Sequence, residues 1–276
     1  MKSRTEELPF DVRDRRAMVS LGPLSDTQYC PYMCPFCYVQ GGFLCYRNLE
    51  IPQIYKWLKA REAEYDIIYI SGDTDSFAPP RTDMGLNLLE SLLSLNKDVL
   101  FTTRAVLDEN QMQRLQQIVA CYNKKQLNVY GCVSITAWST KGIEPDAVPS
   151  PMARIEELRS FKKIGIVPIL AMRPFIPIVP VWDYQAILEN AADSVSVVLG
   201  ESWYVDCDGI IERRTMGNNK VEEYTLCEMP FDDNTQIWKK YTGDSQKEFC
   251  EKWCQEHKIG FFMRSLPAIK WLNEVR

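Results

Sequence analysis

Short apolar runs rich in β-branched residues alternate with helical patterns along the first 200 residues of this chain. Such alternation predicts βαβ units, in which helices connect parallel strands of one sheet. The patterns predict strands at residues 17–21, 67–70, 99–103, 129–137, 166–172 and 194–199. They predict helices at residues 53–64, 85–95, 109–121, 152–164 and 184–191. Ser150 and Pro151 lie in starting positions just before the fourth of these helices.

Six such units in about 200 residues predict an α/β fold, a partial (β/α)6 TIM-like barrel. Residues 1–200 would form the barrel. Residues 201–276 would form a C-terminal α+β extension that closes its open side, with helices at 246–257 and 267–275 and an apolar segment at 260–263. Because chemistry in such barrels lies at the C-terminal ends of the strands, the residues just after each strand are the site candidates.

Charge and composition narrow the functional classes. The formal net charge is −5, whereas proteins that grip a nucleic-acid backbone carry basic surfaces, so we expect no nucleic-acid partner. The polar, acid-containing residues 1–16 match neither a signal nor a transit peptide. No apolar run has the length of a membrane helix, and we expect a cytoplasmic protein. Its 10 cysteines are then metal ligands or buried thiols.

Three of these cysteines, Cys30, Cys34 and Cys37, have the spacing C-x3-C-x2-C in one loop. Three thiolates on a short loop can hold three irons of a [4Fe–4S] cluster and leave the fourth iron open. The alternatives are a zinc site and a loop of buried cysteines. Structural zinc uses four protein ligands, often in paired C-x2-C knuckles, and only one C-x2-C is present here. We therefore predict one cluster, with the three cysteines as its metal ligands and catalytic residues.

The loop, with Phe36 before its last cysteine and its place after the first predicted strand, resembles that of the radical S-adenosylmethionine (SAM) superfamily. Over residues 15–200 the chain resembles the spore photoproduct lyase-like branch. The resemblance implies that SAM binds the open iron and is cleaved reductively to methionine and a 5′-deoxyadenosyl radical. It also implies an external electron donor such as flavodoxin or ferredoxin.

Two further stretches are similar to SAM-binding elements of that branch. Gly72-Asp73-Thr74-Asp75 follows the second strand, where a carboxylate would accept hydrogen bonds from the SAM ammonium group. An Asx-rich turn is the alternative. Residues 144–154 closely resemble the E-P-x-x-P-S-P-x-x-R stretch of that branch, and Arg154 would bind the SAM carboxylate, since a guanidinium group matches a carboxylate fork. The alternative is a solvated helix arginine.

Strand ends complete the predicted SAM site. Hydroxyl groups there suit the ribose diol and the methionine carboxylate, and apolar residues of the fifth strand suit the adenine. Ordinary sheet threonines and core packing are the alternatives. The remaining candidates are Thr103, Ser134, Thr136 and Met172, together with Phe36 of the cysteine loop.

For the substrate, the leading hypothesis is hydrogen abstraction from a small nucleobase-like molecule. In size and branch the chain is similar to a queuine lyase, which would cleave a carbon–nitrogen bond in queuine salvage. Acidic and aromatic side chains suit a flat base with several N–H donors. The alternatives are a DNA-lesion lyase of the same branch and a non-catalytic iron–sulfur sensor. The substrate candidates are Phe43, Glu201, Trp203, Asp206 and Asp208, with Tyr204 as a further stacking residue.

Two other features of the sequence have simple interpretations. Cys250 and Cys254 lie on one face of a predicted helix, where buried thiols are favoured over ligands of a second cluster. His257, the single histidine, ends that helix and is expected to cap it or to face water.

Overall fold

The computed structural model describes residues 11–21, 30–39, 50–72, 74–219, 223–228 and 236–275. Two predicted site residues, Phe43 and Asp73, lie outside these ranges. The chain forms two compact units. One comprises residues 1–33, 39–133 and 148–169, and the other comprises residues 34–38, 134–147 and 170–276.

The main sheet has eight strands, and the pairings within each unit are parallel except for that of the first two strands. Its order is β1-β2-β3-β4-β5-β6-β7-β11. The strands are β1 (Asp11–Arg13), β2 (Arg16–Val19), β3 (Ile67–Ile70), β4 (Asp98–Thr103), β5 (Val129–Ser134), β6 (Val167–Met172), β7 (Val197–Gly200) and β11 (Gly260–Phe262). The α/β class predicted from the alternation is confirmed as a mixed α/β fold with a mainly parallel sheet.

Strands β2 to β7 correspond to the six predicted strands. Every residue of β3 and β6 is buried, because a parallel strand covered on both faces needs a continuous apolar run. The first prediction was shifted by one residue: β2 begins at Arg16, after a tight turn that pairs it with the antiparallel β1.

The helices follow the predicted positions closely. Ser150 caps the fourth helix, where its hydroxyl accepts a hydrogen bond from the Ala153 N–H at 3.2 Å, and Pro151 is its first residue, as predicted. No helix in the described ranges is long and apolar enough to cross a membrane. The helices before residue 200 are α1 (Ile51–Lys59), α2 (Thr82–Leu92), α3 (Glu109–Lys124), α4 (Pro151–Lys163) and α5 (Val181–Ala191).

The extension after residue 200 contains more regular structure than the sequence predicts. A second, antiparallel sheet has the order β8-β10-β9, and a short helix follows β8. These elements were missed because their strands have only four or five residues, and β9 and β10 are mostly exposed or half-buried. The elements are β8 (Trp203–Asp206), α6 (Ile210–Met216), β9 (Thr225–Glu228), β10 (Ile237–Tyr241), α7 (Asp244–Glu256) and α8 (Ser265–Val275).

The second unit is held together by α7 and a buried carboxylate. Helix α7 packs on α5 and on β11, and its Cys250 and Cys254 are fully buried. His257 is its C-cap residue, stacked on Trp253 at 3.7 Å between ring centroids. Asp183 on α5 accepts hydrogen bonds from the main chain and hydroxyls of residues 138–140, which fixes the loop after β5.

Candidate functional site

Asp75 joins the ends of two neighbouring strands in the first unit. It lies after β3, and its carboxylate accepts hydrogen bonds from the Thr103 hydroxyl at 2.9 Å and the Arg104 N–H at 2.6 Å, both at the end of β4. It also accepts one from the Phe77 N–H at 3.0 Å. Burial raises the pKa of Asp75, and these donors lower it in part. Asp75 and Thr103, two predicted SAM-binding residues, are therefore in direct contact.

The turn that contains Asp75 has an unsatisfied polar atom. Thr74 is 5% exposed, and its hydroxyl oxygen has no hydrogen-bond partner within the described residues. Gly72 in the same turn is half-buried. A buried hydroxyl normally has a partner, because leaving it without one costs about 1–3 kcal/mol. The turn thus fits a polar ligand such as the one that the sequence predicts there.

Tyr32, within the cysteine loop, is influenced electrostatically by side chains from several segments of the first unit. Burial, the Asp75 carboxylate and Cys30 raise its pKa, whereas the guanidinium groups of Arg154 and Arg104 lower it. The phenol therefore lies within interaction range of all four side chains. Two of them, Asp75 and Arg154, were predicted to bind SAM.

Arginines dominate this part of the first unit. Arg154 on α4 is fully buried, which excludes the solvated arginine considered above. Arg81 is 4% exposed; burial lowers its pKa and the neighbouring Cys30 raises it. Buried guanidinium groups need anionic partners or several acceptors. The surroundings of Cys30 and Tyr32 are therefore suited to an anion such as a carboxylate.

Glu157 lies one turn after Arg154 on α4 and is a buried carboxyl group. It is 3% exposed and accepts a hydrogen bond from the Leu107 N–H at 3.3 Å. Burial raises the pKa of Glu157 to about 7, although the Leu107 N–H lowers it in part. Glu157 is therefore a neutral carboxylic acid at low pH and a poorly solvated carboxylate at high pH.

The raised pKa of Glu157 predicts a pH-dependent stability. Because it exceeds the ordinary value of 4.5, this group costs stability as pH rises from about 4.5 to about 7, on the order of 3 kcal/mol in total. Glu157→Gln should abolish that loss. Urea unfolding at pH 5 and pH 8 would measure it, with the exposed Glu156→Gln as the matched control. Equal pH dependence in both variants would contradict the assignment.

In the second unit, residues 34–38 of the cysteine loop are bound by side chains of the extension. The Cys37 N–H donates to the Cys34 carbonyl at 3.1 Å, which closes a turn between the two cysteines. Arg214 on α6 donates to the Pro35 carbonyl at 2.6 Å and the Cys37 carbonyl at 2.7 Å. Trp203 on β8 donates through its indole N–H to the Phe36 carbonyl at 3.1 Å.

Arg214 also lies near the thiol groups themselves. Burial lowers the pKa of its guanidinium group, whereas Cys37, Asp206 and Cys34 raise it. Phe36 is buried, and its main-chain carbonyl accepts the hydrogen bond from Trp203. Its predicted role in binding SAM stays a prediction.

Three other predicted SAM residues lie at strand ends. Ser134 ends β5 and Met172 ends β6, and both side chains are buried. Thr136 is also buried: its hydroxyl donates to the Arg173 carbonyl at 2.9 Å, and its N–H donates to the Glu144 carboxylate at 3.2 Å. The Thr136 hydroxyl thus orders the loop after β5, and Glu144 of the predicted motif has a structural partner.

The predicted substrate residues have different environments. Asp206 is 2% exposed, and its carboxylate accepts hydrogen bonds from the Ile210 and Ile211 N–H groups at 2.8 and 2.7 Å, at the start of α6. Asp208 is exposed. Trp203 is buried with its indole N–H bound to the cysteine loop. Asp206 and Trp203 therefore have structural partners within the second unit.

Glu201 belongs to a different group, centred on Tyr204. Burial raises the pKa of Tyr204 to about 12; Cys227 and Glu201 raise it as well, and Arg264 lowers it. Glu201 follows β7, and Arg264 follows β11, its parallel neighbour. The Glu201 carboxylate after β7 and the Arg264 guanidinium group after β11 therefore both act electrostatically on the Tyr204 phenol of β8, as does Cys227 of β9.

The chemistry of the loop fits an iron–sulfur cluster, since it offers three cysteine thiols that form no disulfide. Cys34 is buried, and Cys30 and Cys37 are half-buried. Met33 has a positive φ of 49°, which turns the chain between the first two cysteines. Within the described ranges, no group of three His, Cys, Asp or Glu side chains is arranged around a common metal position.

Sequence reasoning missed several residues near the cysteines. Tyr32, Arg81, Arg104 and Arg214 were not predicted. Arg104 follows Thr103 directly, so the strand-end rule would have included it. Arg214 lies more than 170 residues from the loop that it binds, and no local pattern predicts that contact.

Solved structures with the same fold include two kinds of protein. Spore photoproduct lyase with bound AdoMet and dinucleoside spore photoproduct matches with a TM-score of 0.65 and 13% identity, over 93% of this chain and 80% of that one. Streptococcus suis SuiB bound to S-adenosylmethionine matches with a TM-score of 0.58 and 13% identity, over 90% of this chain. This chain spans about half of the length of SuiB, 50%.

No protein-family model matches this chain, and no curated protein matches it. Both of these structures contain bound S-adenosylmethionine, and the resemblance predicted from the cysteine loop and from residues 144–154 is confirmed at the level of the fold.

Proposed function

We propose that this chain is a radical SAM enzyme. In this proposal strands β2 to β7 form the partial (β/α)6 barrel, and Cys30, Cys34 and Cys37 hold one [4Fe–4S] cluster. When bound, such a cluster supplies the electron that cleaves SAM reductively. The fold shared with SAM-bound structures supports the proposal.

The observation that carries the proposal is the grouping around Tyr32. The cysteine loop, the turn after β3, the end of β4 and helix α4 each contribute one side chain: Cys30, Asp75, Arg104 and Arg154. An ammonium group and a carboxylate lie at one end of SAM, and an acid beside two guanidinium groups complements that pair. We propose that Arg154 and Arg104 bind the carboxylate, while Asp75 orders the turn that binds the ammonium group.

The direct test is anaerobic reconstitution with iron and sulfide, followed by reduction with dithionite in the presence of SAM. We expect about four iron atoms per chain, a cluster spectrum that changes when SAM is added, and release of 5′-deoxyadenosine. A spectrum that is insensitive to SAM, with no cleavage, would favour the iron–sulfur sensor.

For the substrate, we propose a small nucleobase-like molecule with several N–H donors, and queuine as its leading example. Glu201, just after β7, would supply an acceptor, and Tyr204, in β8, would supply a flat ring. The net charge of −5 favours this class over duplex DNA.

The second candidate is a lyase that acts on a DNA lesion. One observation favours it: the matching spore photoproduct lyase structures contain a dinucleoside photoproduct, a ligand of small size. Substrate-dependent 5′-deoxyadenosine turnover with queuine or with lesion-containing DNA would distinguish the two candidates.

Glu201→Gln is expected to lower the affinity for such a substrate. Buried N–H donors left without a carboxylate partner cost about 1–3 kcal/mol each, so KM should rise from about fivefold to over a hundredfold. SAM cleavage without substrate should be unchanged. The measurement is KM for the active molecule, with Glu228→Gln on β9, an exposed glutamate of the same unit, as the matched control. An unchanged KM in Glu201→Gln would contradict this placement of the substrate.

A further inference from the structure

Three consecutive carbonyl groups of the cysteine loop are bound by two side chains of the extension. Arg214 binds those of Pro35 and Cys37, and Trp203 binds that of Phe36 between them. We call Trp203 and Arg214 the loop clamp. The ring of Trp238 on β10 packs edge-on against Tyr38, the next residue, with 6.5 Å between centroids. The whole segment 34–38 is thus bound along its length.

The loop clamp is itself rigidly supported. Trp203 is 1% exposed and lies in the three-stranded sheet, paired with Tyr241 of β10. Arg214 lies on α6, whose first turn is capped by the Asp206 carboxylate. These contacts connect the sheet, the short helix and the cysteine loop through side chains of one unit.

The bound loop carries two of the three proposed cluster ligands. Cys34 and Phe36 are each 5% exposed, and buried carbonyl groups require hydrogen-bond donors. The loop clamp supplies those donors. A short loop whose peptide groups are fixed loses less conformational entropy when its thiols bind a metal cluster. The guanidinium group of Arg214 also places a positive charge beside Cys34 and Cys37.

We propose that Trp203 and Arg214 are positioning residues for the iron–sulfur cluster: both fix the loop, and the charge of Arg214 favours the reduced cluster. The inference rests on the proposed function. The cluster would take up one electron from a low-potential reductant, and no covalent bond would form or break in this step. The more reduced form carries more negative charge, so a nearby cation stabilises it and raises the reduction potential. The sequence predicted that Trp203 contacts substrate, and in this proposal it positions the cysteine loop instead.

The experiment compares Arg214→Gln with Arg213→Gln. Arg213 is the neighbouring arginine on α6 and is exposed, as Arg214 is, but it donates to the Asp208 carbonyl rather than to the cysteine loop. After anaerobic reconstitution, cluster loss to a chelator is followed by visible absorbance. The reduction potential of the cluster is measured by a redox titration monitored by electron paramagnetic resonance. Neither readout requires enzymatic activity.

We expect Arg214→Gln to lose its cluster about tenfold faster than wild type. At a fixed potential, the ratio of reduced to oxidised cluster should fall about tenfold, which is ~59 mV for a one-electron couple. Trp203→Phe should speed cluster loss with a smaller change in potential, because it removes a hydrogen bond and no charge. Arg214→Lys should restore the potential more fully than the stability of the cluster. Arg213→Gln should behave as wild type.

Equal cluster loss and equal potentials in Arg214→Gln and Arg213→Gln would overturn the inference. If Arg214→Gln does not fold, as judged by thermal unfolding, the Trp203→Phe and Arg214→Lys variants decide in the same assays. If the wild-type chain binds no cluster, the proposed function fails. The loop clamp is then tested separately by amide hydrogen exchange of residues 34–38: faster exchange in Arg214→Gln than in Arg213→Gln supports it, and equal exchange refutes it.

Discussion

Replacing Cys34 with alanine is expected to abolish cluster absorbance and all reductive cleavage of SAM. The loop supplies only three thiols, and a cubane with one open iron needs all of them. The same result is expected for Cys30→Ala and Cys37→Ala. The measurements are iron content, the visible spectrum after reconstitution and the amount of 5′-deoxyadenosine released.

Cysteines elsewhere in the chain provide the controls. Cys121 on α3 is exposed, and Cys121→Ala should keep about four iron atoms per chain. Cys250 and Cys254 are buried, and burial raises the pKa of the Cys254 thiol to about 12, so a thiolate is disfavoured there. Their replacement should also leave the iron content unchanged. Full iron and turnover in Cys34→Ala would refute the cluster assignment, and loss of half of eight irons in Cys250→Ala would reveal a second cluster.

The central strands of the sheet were predictable because strands such as β3 and β6 are buried throughout. A run such as Ile67–Ile70 can hardly be placed anywhere except inside a parallel sheet, and the helical patterns between the runs supply the connections. Ser150 and Pro151 predicted the start of α4 because capping is a local property of the chain. Local signals of this kind place elements correctly without any knowledge of tertiary contacts.

The extension was harder to predict because its strands and its short helix lack such local signals. Strand β9 has no fully buried residue, and β10 has one, Trp238, so neither has the alternation that marks a half-buried strand. Helix α6 has seven residues, too few for a periodic pattern. Pairing with β8 stabilises β10, and such non-local pairing leaves little signal in the local sequence.

The residues of the site also differ in how predictable they were. Cysteine spacing and the motif that ends at Arg154 are continuous in sequence, and both were found. The partners of these residues are discontinuous. Arg104 and Asp75 meet across neighbouring strands, and Trp203 binds a carbonyl group 167 residues earlier in the chain. The aromatic and acidic composition after β7 suggested a substrate site, but several of those side chains stabilise the cysteine loop or cap a helix.

Arg154→Ala is expected to weaken SAM binding strongly. Arg154 is fully buried on α4 and interacts with Tyr32, in the loop that carries Cys30. A desolvated guanidinium–carboxylate pair that loses one partner costs roughly 2–4 kcal/mol, which is about 30-fold to 1,000-fold in Kd. The measurement is the dissociation constant of SAM under anaerobic conditions, with the cluster loaded.

The matched control lies on the same helix. Arg159 forms an ion pair with Glu156, three residues earlier, on the outer side of α4, so Arg159→Ala should leave SAM affinity unchanged. Because Arg154 is buried, its removal also affects packing, and iron content and thermal unfolding must be measured on the same sample. Arg154→Lys retains the charge but loses the fork geometry, and its SAM affinity should fall between those of wild type and Arg154→Ala. A folded, cluster-loaded Arg154→Ala protein with wild-type SAM affinity would show that this arginine has a structural role instead.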